Sequence, residues 1–394
     1  MSSETESPAG AKPDFDVIVA GAGPAGLAAA LQFDGLGLAV CIVAPETRQV
    51  DHRTAALLVG SVSFLDQLGV WANVVDEAGP LRSLRIVDAT RRLIRAPEVL
   101  FHASEIGQSA FGYNVGNATL VDALSRHCAD RGIARVIAAV TGAKADRNAA
   151  SVTLDDGSTA TARLVIAADG RQSKVRESVG IPVRTWAYEQ SALVTNLTHS
   201  LPHDDTSTEF HTEEGPFTLV PLTGNRSSLV WVSSPAEAAR RKETDPAALA
   251  REIEDRAASL LGEMRVDSPV QTFPLTGMAV SRFSANRIAL IGEAAHVFPP
   301  IGAQGLNLGY RDVADLAAAV GSDNADVGAD DVLRRYDRSR RLDAYTRTAA
   351  VDALNRTLLT GFLPVQALRG MGLFLLDRIP VVRRALMRQG IAPG

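Results

Sequence analysis

Hydrophobic and polar positions follow two different rhythms along the chain, and the change from one to the other divides it. Asp16-Val17-Ile18-Val19-Ala20 is a short β-branched run that feeds a glycine turn, and Leu27-Ala28-Ala29-Ala30-Leu31 behind it is strongly helix-forming. Leu38-Ala39-Val40-Cys41-Ile42-Val43 then reads as a second buried strand, which completes a βαβ unit. A helical pattern at Leu120-Val121-Asp122-Ala123-Leu124 precedes strands around 134–140 and 151–154, and Arg163-Leu164-Val165-Ile166-Ala167-Ala168 closes that series. Between about Val183 and Thr276 the apolar positions alternate instead. Thr218-Leu219-Val220-Pro221-Leu222 and Ser228-Leu229-Val230-Trp231-Val232, joined through Thr223-Gly224-Asn225, predict a hairpin in an antiparallel sheet. A helix rich in Ala, Glu and Arg is expected over 235–262. Arg287-Ile288-Ala289-Leu290-Ile291-Gly292 returns to the first rhythm, with a helix from about Leu306.

The expected fold class is therefore α/β: a Rossmann-like nucleotide-binding domain, an inserted antiparallel-sheet substrate domain and a C-terminal helical tail. The nucleotide-binding part is assigned to 14–85, 115–182 and 276–330, and the inserted part to 86–114 and 183–275. The helical tail covers 331–394, and residues 1–13 form an acidic, Ser/Pro-rich leader without an apolar core.

Composition narrows the partners. A formal charge of -5 with a pI near 5.9 argues against nucleic acid, whose phosphates call for a basic surface. The charge is uneven, because residues 331–394 carry 12 Arg, no Lys and 5 Asp, a net of +7. Such a tail either meets an anionic membrane or pairs with the acidic remainder of the chain. Two cysteines, Cys41 and Cys128, both in apolar surroundings, fit buried thiols in a reducing compartment. The most apolar stretch, Gly361 to Leu376, is interrupted by Pro364 and Arg369, so no spanning helix is expected. The expected location is cytoplasmic, with peripheral contact to the inner membrane as an option, and no metal site is expected.

Three motifs carry chemistry. In GAGPAG, Gly21 permits a tight turn, Gly23 lets the backbone approach a pyrophosphate and Gly26 lets helix and strand pack closely, while Pro24 and Ala25 open the helix. The position where such folds place a ribose-binding acid is Ala44. Either Glu46 swings back to serve, or it is a solvated loop acid; Arg53, in Asp51-His52-Arg53-Thr54, is the better candidate for a cofactor-facing cation. The second motif, Ala168-Asp169-Gly170 followed by Arg171, Ser173 and Arg176, either aligns a diphosphate or caps a helix. The third runs from Gly292 and Glu293 through His296, Pro299 and Pro300 to Gly302, Gln304, Gly305, Leu306 and Asn307. Its carboxylate suits a ribityl hydroxyl, its prolines an apolar wall beside a ring, and the following helix N-terminus a developing negative charge.

Together GAGPAG, ADGRQSKVR and GEAAHVFPPIGAQGLNLG resemble the class A flavin-dependent aromatic hydroxylases, the group that includes para-hydroxybenzoate hydroxylase. DHRTAALLVGSVSFLDQLGVW at 51–71, FGYNVGN at 111–117 and GLFLLDRIPVVRRALMRQG at 372–390 are similar to the ubiquinone-biosynthesis hydroxylases within it. The resemblance implies FAD and NAD(P)H as cofactors, with FAD held by Gly21, Gly23, Gly26, Arg53, Glu293 and the 300–307 loop, and Asn117 near the flavin. Thr54, Asp169 and Gly292 join this set. Glu293 stands where the family usually has Asp, one methylene longer.

The implied reaction is NAD(P)H- and O2-dependent ring hydroxylation of a small hydrophobic aromatic substrate, most simply a polyprenylated phenol or quinol, with possible contact to a membrane or a quinone-biosynthesis complex. The chemistry belongs to the flavin, so no side chain is strictly required as a catalyst, and His296, Pro300 and Gln304 shape the flavin pocket. His296 reads as a base or, more simply, as a loop-shaping residue. Tyr188, Phe217, Leu219 and Trp231 are the expected substrate wall; the same stripe is also what an ordinary sheet core looks like. Tyr113 and His211 are open to the same two readings. Another aromatic substrate, an isoprenoid reductase or a non-enzymatic flavoprotein scaffold are the alternatives.

Overall fold

A computed structural model describes residues 12–46, 51–90, 95, 97–299, 304–321, 325–343, 383, 384 and 387. Its first sheet is built on a parallel core in the order Ile288–Leu290, Thr159–Ala167, Phe15–Ala20, Val40–Val43, Ala134–Val136. Its strands are continuously apolar rather than alternating, as expected for a sheet covered on both faces; Val17 through Ala20 are all fully buried. The helix Pro24–Gly35 lies across it between the helices Asn117–Asp130 and Gln304–Val320. Val140–Ala145 and Ala150–Leu154 form an antiparallel annex on Thr159–Ala167.

The second sheet runs in the order His296–Val297, Gln271–Val280, Val183–His199, Arg226–Ser233, Pro216–Pro221, Thr206–His211, Ser83–Asp88, Val99–His102. The expected hairpin is present, with Phe217 opposite Trp231. One face packs Leu193, Leu197, Phe210, Phe217, Leu219, Leu229 and Trp231 against Leu249 and Ile253 of the helix Pro246–Arg256. A small third sheet of Thr54–Leu58, Gly112–Gly116 and Gly79–Pro80 lies between the two large ones.

Several boundaries differ from the expectation. The boundary drawn at 85/86 falls inside Ser83–Asp88, which pairs in parallel with Thr206–His211, a partner far away in sequence. The boundary at 114/115 cuts Gly112–Gly116, and that at 275/276 cuts Gln271–Val280. The single helix expected over 235–262 is two, Pro235–Lys242 and Pro246–Arg256. The break is chemical: Pro246 has no N–H to continue a helix, and the Asp245 carboxylate accepts from the N–H groups of Ala247 and Ala248, starting a new one.

Several of the described arginines of the tail are paired. Arg340 meets Asp312, Asp315 and Asp343; Arg335 meets Asp331; and Arg383 grips Glu105 through two 2.7 Å bonds with its guanidinium 4.6 Å from the Phe101 ring centroid. Met387 packs beside it against Phe111. Among the described residues no helix is long and apolar enough to cross a membrane.

Candidate active site

The three motifs emerge from the carboxyl ends of three adjacent parallel strands. Phe15–Ala20 delivers Gly21, Thr159–Ala167 delivers Ala168-Asp169, and Ile288–Leu290 delivers Ile291-Gly292-Glu293. Ligands of open α/β sheets bind in this crevice. Gly21 has φ +117°, and a Cβ there would lie 2.2 Å from the Ala168 carbonyl oxygen; a Cβ on Gly26 would lie 2.2 Å from the Gly21 oxygen. Neither position accepts a side chain. A Cβ on Gly23 meets nothing within 4 Å, and this residue begins the helix Pro24–Gly35 with no side-chain cap. The approach to that helix N-terminus is therefore free, and its unpaired N–H groups suit a pyrophosphate. Ala25 rests against Gly292 and Gly309, each of which would place a Cβ 3.4 Å from its methyl. The first and third motifs are thus packed together, and Glu293 remains exposed at their junction.

The second motif is more structural than charged. Ser173 caps the helix Lys174–Ser178 by accepting from the Arg176 N–H, and Asp169 Oδ2 accepts from the Val175 N–H at 3.2 Å, which leaves its buried Oδ1 without a partner. Arg176 is buried and donates to the carbonyls of Ala294 and Arg171 at 2.9 and 3.0 Å. It cross-links the second motif to the third instead of offering its charge to a ligand.

Arg53 is held from below. Asp51 accepts from its Nε and Nη2 at 2.8 and 2.7 Å and from Asn117 Nδ2 at 2.9 Å, and the Asn117 N–H donates to the Arg53 carbonyl. Burial pushes the Asp51 carboxyl up, but hydrogen bonds from Arg53 and Asn117 outweigh it and hold the group at about 2. The hydrogen bond to Asp51, together with the fields of Asp51 and Glu293, raises Arg53 against the opposing effect of burial. The cation therefore stands between the third motif and the second sheet, 5.3 Å from the Phe273 ring centroid.

His296 is fully enclosed, its Nε2 2.7 Å from Asp312 Oδ2, which also accepts the Gly292 N–H at 2.8 Å. The loop-shaping reading fits this position, since a sealed imidazole has no path to a substrate. Asn307 is committed as well: its Oδ1 accepts from the Leu58 N–H and Ser61 Oγ, and its Nδ2 donates to the Ala56 carbonyl. Its contribution to a cofactor is confined to the backbone of the first turn of Gln304–Val320, where Gly305 is exposed and Leu306 half-buried. Pro300 and Gly302 lie outside the described residues. Ala44 is buried beyond the second strand and Glu46 is exposed two residues on.

Three of the four residues expected to form the substrate wall lie in the core of their sheet. Phe217, Leu219 and Trp231 do share a face, but it is the core face, 0–2% exposed, and Trp231 is covered by the Arg241 guanidinium at 3.8 Å. The opposite face looks toward Arg53 and Thr54. Thr54 Oγ1 donates to Ser228 Oγ at 3.0 Å, and Asn196 Nδ2 to the His52 carbonyl at 3.4 Å. Cross-strand register puts Val194, Thr218, Val220 and Val230 on that face with Ser228 and Asn196, all but Ser228 half-buried. Tyr188 is half-buried against Ala192 and Val232, and its hydroxyl accepts from Trp186 Nε1 at 2.7 Å. Tyr113 meets the edge of Trp71, and His211 is bound to Glu209 at 2.7 Å. Asp51, Asp312 and Arg176 are site residues that sequence reasoning missed or misread. Asp51, two residues before Arg53, and Arg176, in the second motif, carried a local signal, and Asp312 carried none.

A family model described as an FAD binding domain matches residues 14–350. The chain belongs to this FAD-binding family. It is 34% identical to the ubiquinone hydroxylase UbiL of Rhodospirillum rubrum, with 95% of this chain and 89% of that protein covered. It is 30% identical to the 3-demethoxyubiquinol 3-hydroxylase of Escherichia coli, covering 95% of this chain and 98% of that one. Among solved structures, Klebsiella pneumoniae HpxO with FAD and uric acid superposes with a TM-score of 0.78 at 21% identity, covering 96% and 98% of the two chains, which establishes the shared fold. The protein is an FAD-dependent monooxygenase of the hydroxylase class, and the resemblance read from the three motifs holds.

Proposed function

We propose that the protein uses NAD(P)H and O2 to hydroxylate the ring of a polyprenylated phenol or quinol in ubiquinone biosynthesis, the class of activity named for its relatives. FAD would be held by the Gly21–Gly26 turn, by the exposed Glu293, by the Arg53 guanidinium and by the N-terminus of Gln304–Val320. When bound it supplies the oxygen-activating chemistry, and the chain's own work is to orient the ring, offset charge and exclude water. The observation that carries the substrate reading is the half-buried apolar face of Val194, Val220 and Val230, which looks across to Arg53. An alkylated ring gains there by burying apolar area, while Thr218 supplies a hydroxyl beside it. Asp51 keeps Arg53 upright, so that a cation stands beside this face.

Purified yellow protein should oxidise NAD(P)H faster with a prenylated phenol and place one atom of labelled dioxygen in the product. Substrate-dependent oxidation with no label in the product would overturn the hydroxylase reading for this substrate. Expression in strains blocked at single quinone hydroxylation steps identifies the ring position. A prenylated substrate lives in a membrane, and the net +7 of residues 331–394 motivates peripheral contact there. Flotation with anionic liposomes that is unchanged on deletion of Arg369–Gly394 would remove that part of the reading.

A further inference from the structure

Helix 330–343 lies outside the three motifs, yet its hydrogen bonds reach the strand and loop that present Glu293. Tyr336 Oη donates to the Leu290 carbonyl at 2.7 Å, and Asp337 accepts from the Phe283 N–H at 2.6 Å. The decisive contact is Arg340, 2% exposed, whose Nε donates to Asp312 Oδ1 at 2.7 Å. Asp312, fully buried in Gln304–Val320, turns its other oxygen to the Gly292 N–H and to His296 Nε2. One carboxylate thus joins helix 330–343 to both ends of the cofactor loop. Gly292 sits at φ +56°, a left-handed conformation that glycine adopts readily, so the bond from its N–H to Asp312 restricts an otherwise permissive position, and Glu293 follows immediately. Arg340 Nη1 is shared between the half-buried Asp315 and Asp343, and the guanidinium cannot turn away without leaving the fully buried Asp312 carboxylate without its cation.

We propose that Asp312 and Arg340 are positioning residues for FAD: they hold the 292–296 loop in the form that presents Glu293, and helix 330–343 is thereby a working part of the cofactor site without touching the cofactor. Release of that helix lowers FAD affinity. The inference rests on the assignment of the 292–296 loop to FAD.

The test uses the full chain stripped of FAD and reconstituted. In Arg340→Met, backbone amide exchange over 292–296 in FAD-free protein should rise at least tenfold, and the FAD dissociation constant by a similar factor. Arg241→Met removes a comparably buried arginine from the distant face of the second sheet and is the matched control. Loop exchange and FAD affinity that stay unchanged in Arg340→Met, or that change equally in Arg241→Met, would overturn the proposal. If Arg340→Met does not fold, His296→Asn keeps the Asp312–Arg340 pair and should still loosen the loop severalfold; unchanged exchange there counts against the clamp. FAD should slow the same amides in the wild-type protein, and its failure to do so would refute the loop assignment itself.

Discussion

The two faces of the antiparallel sheet are made by neighbouring residues and live in different environments. Phe217, Leu219, Leu229 and Trp231 are sealed beneath the helix Pro246–Arg256, whereas Thr218, Val220 and Val230, one residue away from each, face Arg53 and Thr54 and stay half-open. In the hairpin of Pro216–Pro221 and Arg226–Ser233 the sealed face holds the larger side chains and the open face the smaller ones. A binding wall in this sheet is therefore recognised by residual exposure and by what it faces, and the biggest apolar residues mark the core instead.

The sharpest way to break this contrast is on the sealed face. Phe217→Ala leaves a cavity among Phe210, Trp231 and the covering helix and should cost about 3–5 kcal/mol of unfolding free energy, while the protein that remains folded keeps its KM. Chemical denaturation beside steady-state kinetics measures both; a raised KM with unchanged stability would put Phe217 back in the wall. The next effect lies at the opposing edge. Asp51 is held at about 2 against an ordinary 3.8, so its contribution is fully present above about pH 4 and lost as pH falls through 2. Asp51→Asn should remove about 1 kcal/mol of stability at neutral pH, allowing for its partial exposure, and flatten the acid limb of the stability profile between those values. The same variant should weaken FAD, because Arg53 loses its anchor. Ser228→Ala deletes the bond from Thr54 to the open face and should cost about 1 kcal/mol or less. Smallest in stability and largest in kinetics, Val230→Ala should stay within about 1 kcal/mol of wild type and raise KM for the prenylated phenol. An unchanged KM would show that substrate does not rest on this face.

Much of the parallel half was legible because its chemistry is local. Gly21 and Gly26 are fixed by contacts within one turn and its neighbouring strand, and the three motifs announce themselves as strand, turn and helix. The antiparallel half was legible in rhythm but not in phase. Period two says that Phe217 and Leu219 share a face and is silent about which layer covers it, which depends on a helix thirty residues later in the chain. The break at Thr244-Asp245-Pro246 was readable from its proline and cap, and alanine-rich composition on either side hid it. The pairing of Ser83–Asp88 with Thr206–His211 and the Asp312–Arg340 contact join distant segments, and no local pattern encodes them.

His296–Val297 pairs with Met278–Ala279, so the cofactor loop continues directly into the edge of the sheet that carries the proposed substrate face. The two binding events then share a mechanical element, and in thermodynamic terms their affinities are linked. If FAD narrows the positions available to that edge, the ring meets a surface already set, and by reciprocity the ring must tighten FAD by the same factor. A substrate-loaded protein would then hold its flavin through dilution better than an empty one.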